Sequence, residues 1–133
     1  MSDERVAALI DRLARHDTLV EVGVGRRPDV SAGLAERGRT VTATDVHERS
    51  VPEGVRFRRD DVLEASERDD PGALYRVDAI YALNCPPELQ RPLLDVARRA
   101  DAACYFTTLG GDPAVVPAAP ESVPGDTLYV ARE

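Results

Sequence analysis

Lysine is absent from this 133-residue chain: all 17 of its basic residues are arginine, set against 24 acids. Cysteine is scarce as well. Cys85 and Cys104 are too few for a disulfide framework or a self-sufficient metal site, so no metal is expected, and both read as reduced thiols of a cytoplasmic protein. No apolar run approaches the roughly 18 residues that a membrane-spanning helix requires. The first residues, Met1-Ser-Asp-Glu-Arg5, lack the basic-then-apolar order of a secretory signal. A net charge of −7 and a pI near 4.9 argue against a nucleic-acid backbone as default partner. Acid excess without lysine is the composition of an extreme halophile's proteome. At molar salt the Debye length falls to about 3 Å, and an acidic surface barely repels itself.

What is present fits one globular domain over residues 1–133, with 43% hydrophobic and 31% charged residues. Val6, Leu9, Ile10 and Leu13 follow helical spacing within residues 3–15, and Ser2 is a candidate cap. Residues 18–23 form a short apolar strand that ends in glycine. Pro28–Arg37 reads as a helix, with Pro28 suited to its first turn and Gly38 to its stop. A second strand covers 40–45, a polar loop 47–54, and an alternating strand near a sheet edge Val55–Arg59. Residues 62–75 offer a weak helix broken near Pro71-Gly72. Strand Val77–Leu83, helix Glu88–Ala100 and strand Ala102–Leu109 follow. Residues 110–126 carry Pro113, Pro117, Pro120 and Pro124 and read as a proline-rich loop before a last strand, Thr127–Ala131. The alternation predicts a doubly wound, mostly parallel, Rossmann-like α/β sheet with right-handed crossovers.

The stretch Leu19-Val-Glu-Val-Gly-Val-Gly25 carries the functional signal. Gly23 and Gly25 allow the backbone to approach a ligand and to take positive φ, although a bare strand–helix turn uses glycine too. Asp45 closes the second strand, where an acid can hold ribose hydroxyls. A dinucleotide would set its pyrophosphate on the following helix, and Asp29 in that first turn opposes a phosphate, while Arg26 and Arg27 offset it. Glu21 beside the turn suits a cationic ligand instead, namely S-adenosylmethionine. Asp60 and Asp61 can meet an adenine amino group or cap the next helix. His16 and His47 read as solvated polar residues, and Cys104 as core.

Val20-Glu-Val-Gly-Val-Gly25, Thr44-Asp45 and Asp60-Asp61 resemble the first three motifs of class I S-adenosylmethionine-dependent methyltransferases, over roughly residues 15–109. The resemblance implies that Glu21, Gly23 and Gly25 serve the methionine end of the cofactor, Asp45 the ribose and Asp61 the adenine. The family's third glycine falls on Arg27. The whole chain also resembles a small uncharacterised archaeal family with this methyltransferase-like fold, through Glu21-Val-Gly-Val-Gly25 and Ile80-Tyr-Ala-Leu-Asn-Cys-Pro-Pro-Glu-Leu89.

Asn84-Cys-Pro-Pro87 lies where methyltransferases keep a substrate-facing loop, which places Asn84 and Pro86 opposite the acceptor. In amine methyltransferases an asparagine followed by two prolines and an aromatic aims the acceptor lone pair. Here Cys85 interrupts that order, and the loop can equally be a proline-set turn into a helix. Methyl transfer relies on alignment more than on acid–base groups, so it needs no catalytic lysine or histidine. Cys85, in acidic surroundings and with no histidine near it in sequence, is a poor nucleophile. A substrate lid would have to come from residues 110–126, from the first helix, or from a partner subunit of a homo-oligomer. The alternatives are a non-catalytic module that senses NAD or adenosine, and a cofactor-free interaction domain.

Overall fold

The structure, a computed structural model, describes residues 3–133; the expected cap at Ser2 lies outside the described residues. Helix α1 (Asp3–Leu13) leads into β1 (Thr18–Val22), α2 (Asp29–Glu36), β2 (Thr40–Asp45) and β3 (Arg56–Arg59). Then come α3 (Val62–Glu67), a 3-10 turn (Ala73–Tyr75), β4 (Ala79–Ala82), α4 (Pro87–Ala100) and β5 (Ala103–Phe106). Strands β6 (Ala119–Val123) and β7 (Asp126–Arg132) end the chain. They form one seven-stranded sheet in the order β3-β2-β1-β4-β5-β7-β6. Strands β1 to β5 are parallel, and β7 runs antiparallel to both of its neighbours. This is the mostly parallel, doubly wound α/β fold that the alternation predicted.

The period of two along each strand divides the core between the two faces. Ala79, Tyr81 and Tyr105 face a layer built by Leu9 and Leu13 of α1 and Leu34 of α2. Ile80, Cys104 and Phe106 face Leu93, Leu94 and Ala97 of α4, with Ala65 of α3. Strand order reverses between β1 and β4. Outside the carboxyl ends of those two strands an open α/β sheet forms its ligand crevice.

The segment 110–126 needs a correction, because it is not loop throughout: residues 119–123 form β6. This strand is the outer edge of the sheet and pairs only with β7. An edge strand turns half of its N–H groups to solvent, so a proline such as Pro120 is tolerated there and would not be at the centre of a sheet. Gly125, at φ 72, makes the turn into β7. Between β5 and β6 the chain forms an irregular strap in place of a crossover helix. Buried Gln90 of α4 pins the strap: its Nε2 donates to the Pro113 carbonyl at 2.9 Å, and its Oε1 accepts the Val115 N–H at 2.6 Å. The weak helix of residues 62–75 is also shorter than expected. It ends at Glu67, and Gly72 at φ 111 separates it from the 3-10 turn. Among the described residues no helix is long and apolar enough to cross a membrane.

Candidate functional site

The carboxyl ends of β1, β2 and β4 meet at the glycine turn. After Val22 the chain turns through Gly23 (φ 73) and Gly25 (φ 59), a conformation that glycine takes without strain. The Gly23 and Val24 N–H groups donate to the Thr44 carbonyl, at 3.0 and 2.9 Å. The space beside both glycine α-carbons is open to 4 Å, so a ligand can lie against the backbone there.

Asp45 fixes this turn. Its Oδ2 accepts the Gly25 N–H at 2.8 Å, and its Oδ1 accepts the His47 N–H at 3.0 Å. The Arg49 guanidinium stands 3.5 Å from Oδ1. Burial works against the charge, but the two amides and Arg49 outweigh it and hold the carboxyl below its ordinary range. The carboxyl is buried beside the turn.

Glu21 lies beneath the turn, fully enclosed. Its Oε1 accepts both the Ser31 hydroxyl, at 2.5 Å, and the Tyr81 hydroxyl, at 2.8 Å. Burial pushes this carboxyl up to about 7, against the downward pull of the two hydroxyl donors. The acid thus ties β1 to α2 and β4, and it also forms part of the cleft floor.

Asn84 closes the cleft from β4. It takes the left-handed conformation at φ 53, which asparagine tolerates better than most residues. Thr107, after β5, holds it there. The Asn84 N–H donates to Thr107 Oγ1 at 2.8 Å, and the Cys85 N–H donates to the Thr107 carbonyl at 2.7 Å. Pro86 then caps α4 in an extended conformation. Cys85 is buried, and burial pushes its thiol up to about 12, so it supplies no thiolate at neutral pH.

Two cavities adjoin at Gly23, Leu83 and Asn84, which line both. The one on the α3 and α4 side is apolar and includes Val22, Val62, Pro86, Leu89 and Leu93. The one on the α2 side is polar and includes Glu21, Gly25, Arg26 and Arg27. Arg27, at the position of the third glycine, stays exposed and lines the cleft without filling it.

The two acids after β3 have partners close by. Asp61 caps α3, its Oδ1 accepting the Leu63 N–H at 2.9 Å. Asp60 accepts the Tyr75 hydroxyl at 2.6 Å and pairs with Arg68 at 2.8 Å. Of this segment it is Val62 that reaches the cleft. His16 is not simply solvated. It is half-buried, with Nε2 2.6 Å from the Tyr105 hydroxyl, far from the cleft residues in the layer under α1. Cys104 is core, as expected. Ser31, Tyr81 and Thr107 carried no local signal in the sequence; they are 10, 60 and 23 residues from the groups they hold.

This fold recurs in solved structures. The RNA methyltransferase from Salinibacter ruber, in complex with S-adenosyl-L-homocysteine, superposes with a TM-score of 0.68 at 15% identity, over 100% of this chain and 94% of its own. WbdD superposes at 0.65 with 13% identity over 98% of this chain, which spans only 40% of WbdD. These likenesses establish a methyltransferase-like fold. Among sequences, a protein of Halobacterium salinarum is 56% identical over 123 residues, covering 91% of this chain and 92% of that protein. It bears the name of the same family whose profile matches residues 4–132 here, and the chain therefore belongs to the uncharacterised archaeal protein family UPF0146.

Proposed function

We propose that the chain binds S-adenosylmethionine across the ends of β1, β2 and β4 and transfers its methyl group to a small molecule or a protein. The observation that carries this reading is Asp45. It is a buried carboxylate held against the Gly25 amide, beside a glycine turn that has room for a ligand. The ribose hydroxyls bind Asp45. The adenine enters the apolar lobe beside Val62 and Leu89, and the methionine chain runs over Gly23 toward Asn84. The residues present fit this ligand: a hydroxyl acceptor at Asp45, an apolar slot and a polar lobe that meet at Gly23, Leu83 and Asn84.

When bound, the ligand supplies an electrophilic methyl on sulfonium. The chain's own part is alignment. Asn84, fixed by Thr107, presents its carboxamide at the junction of the lobes, where it accepts a hydrogen bond from the acceptor and orients the acceptor's lone pair. Pro86 keeps the β4–α4 turn rigid. The acceptor releases its proton to solvent.

A nucleotide-sensing reading, with NAD or adenosine as ligand, is supported by the strap, which adds no substrate domain over the cleft. Asp29, exposed in the first turn of α2, disfavours the pyrophosphate of NAD. Thermal unfolding in molar KCl with S-adenosylmethionine, S-adenosylhomocysteine, NAD or NADP separates the readings. A ligand at about 100 times its Kd adds about 2.7 kcal/mol, a shift of several degrees for a chain of this size. We expect the shift with the two adenosyl sulfur ligands. A shift with the dinucleotides alone would replace the methyltransferase reading with the sensing one.

A further inference from the structure

We propose that Arg26 and Arg27 form an oxyanion subsite in the polar lobe, which receives a carboxylate or phosphate carried by the cleft's ligand or by its acceptor. The inference rests on the adenosyl reading of the cleft and deepens it.

Placement comes first. Both arginines line the lobe together with Gly23, Gly25 and Asn84, so an anion held there lies beside the ligand path. Charge balance comes second. Acids outnumber arginines in this chain, 24 to 17, and several guanidiniums are engaged by carboxylates: Arg5 with Asp126, Arg12 with Glu121, Arg37 with Asp11, Arg68 with Asp60. Among the described residues Arg26 and Arg27 take part in no ion pair. The carboxylate nearest to hand, Asp29, is exposed two residues further on and is not paired with either.

The remaining acid of the lobe does not neutralise them. Glu21 is enclosed, and the Ser31 and Tyr81 hydroxyls occupy its Oε1. Its raised proton affinity keeps its negative charge partial at neutral pH. The lobe therefore presents two guanidinium forks and little opposing charge. A guanidinium fork suits a planar carboxylate or a phosphate, each of which it binds through paired hydrogen bonds. Two sources carry that chemistry: the carboxylate at the amino-acid end of an adenosyl ligand, and a phosphate or carboxylate on the acceptor.

The test is calorimetry in molar KCl on the wild-type protein and on Arg26→Gln/Arg27→Gln. The probes are S-adenosylhomocysteine, 5′-methylthioadenosine (which lacks the amino-acid end) and inorganic phosphate. Both side chains are exposed, so the variant should melt with the wild type. The subsite holds the ligand's carboxylate if the variant loses about tenfold or more toward S-adenosylhomocysteine while 5′-methylthioadenosine binds unchanged. It holds the acceptor's anion if both adenosyl ligands bind unchanged but phosphate binding to the loaded wild type is lost in the variant. Equal binding of all three probes by the two proteins overturns the proposal. Should the wild type bind neither adenosyl ligand, the adenosyl reading fails by itself. The arginine subsite then stands if phosphate binds the wild type and not the variant, and falls if it does not.

Discussion

The Thr107 hydroxyl accepts the Asn84 N–H at 2.8 Å, and this one bond joins the end of β5 to the only left-handed residue of the β4–α4 turn. Thr107 adds its own N–H to the Ala82 carbonyl and its carbonyl to the Cys85 N–H. Three hydrogen bonds from a fully buried residue therefore fix the backbone of the turn that carries Asn84.

That relationship separates folding from chemistry. Thr107→Val keeps the side-chain shape and the backbone bonds but leaves the Asn84 N–H unpaired. It should cost about 1–3 kcal/mol in denaturant unfolding, and Thr107→Ser much less. Asn84→Gly should leave stability nearly unchanged, because glycine takes φ 53 freely. The same substitution removes the carboxamide and should abolish methyl transfer. Full transfer by Asn84→Gly would take Asn84 out of the acceptor site.

Glu21 gives the protein a pH dependence of defined sign. Its carboxyl moves from an ordinary 4.5 up to about 7 on folding, chiefly through burial. The folded state therefore binds the proton more tightly than the unfolded chain does. The associated stability is complete below 4.5, declines as pH rises toward about 7, and is gone above it. A shift of this size corresponds to about 3 kcal/mol as an upper figure. Glu21→Gln can still accept from Ser31 and Tyr81, and it should flatten urea-unfolding stability between about pH 5 and pH 8. An unchanged slope in the variant would place the titration elsewhere.

How far the sequence could be read depended on whether a feature was local. The strand before Gly23, the glycines of the turn and the acid that ends β2 each carry a local pattern, so spacing located them, although the bonds that join the turn to Thr44 and Asp45 span about 20 residues. Asp60 and Asp61 are alike in sequence. Only the arrival of Tyr75 and Arg68 beside the first, and the start of α3 at the second, told them apart. Strand β6 was missed because the penalty for Pro120 depends on being inside a sheet, and position in the sheet is a tertiary fact. Gln90 and Thr107 each act across 23 residues or more, and no periodicity marks such residues.

Asp45 should be the residue whose loss most affects the ligand. Asp45→Asn keeps the size of the side chain but weakens acceptance from the Gly25 and His47 amides and from ribose hydroxyls. Affinity for S-adenosylhomocysteine should fall by about 1–3 kcal/mol, as read by calorimetry. Because the folded carboxyl lies below its ordinary range, its contribution to stability is complete above 3.8 and is lost as pH falls through the folded value. The variant should therefore lose part of the acid sensitivity of the wild type. Unchanged ligand affinity would move the ribose away from Asp45.

Salt tests the composition itself. With 24 acids, 17 arginines and no lysine, the surface carries a net repulsion that dilute buffer leaves in place over a Debye length of about 10 Å at 0.1 M. Molar KCl shortens that length to about 3 Å and removes most of the long-range repulsion, while the partly buried Arg5–Asp126 pair is screened far less. The melting temperature should therefore rise steadily from dilute buffer to molar KCl. If surface repulsion is the cause, KCl and NaCl should act alike at equal ionic strength. A melting temperature independent of KCl would mean that the acidic surface has no bearing on stability.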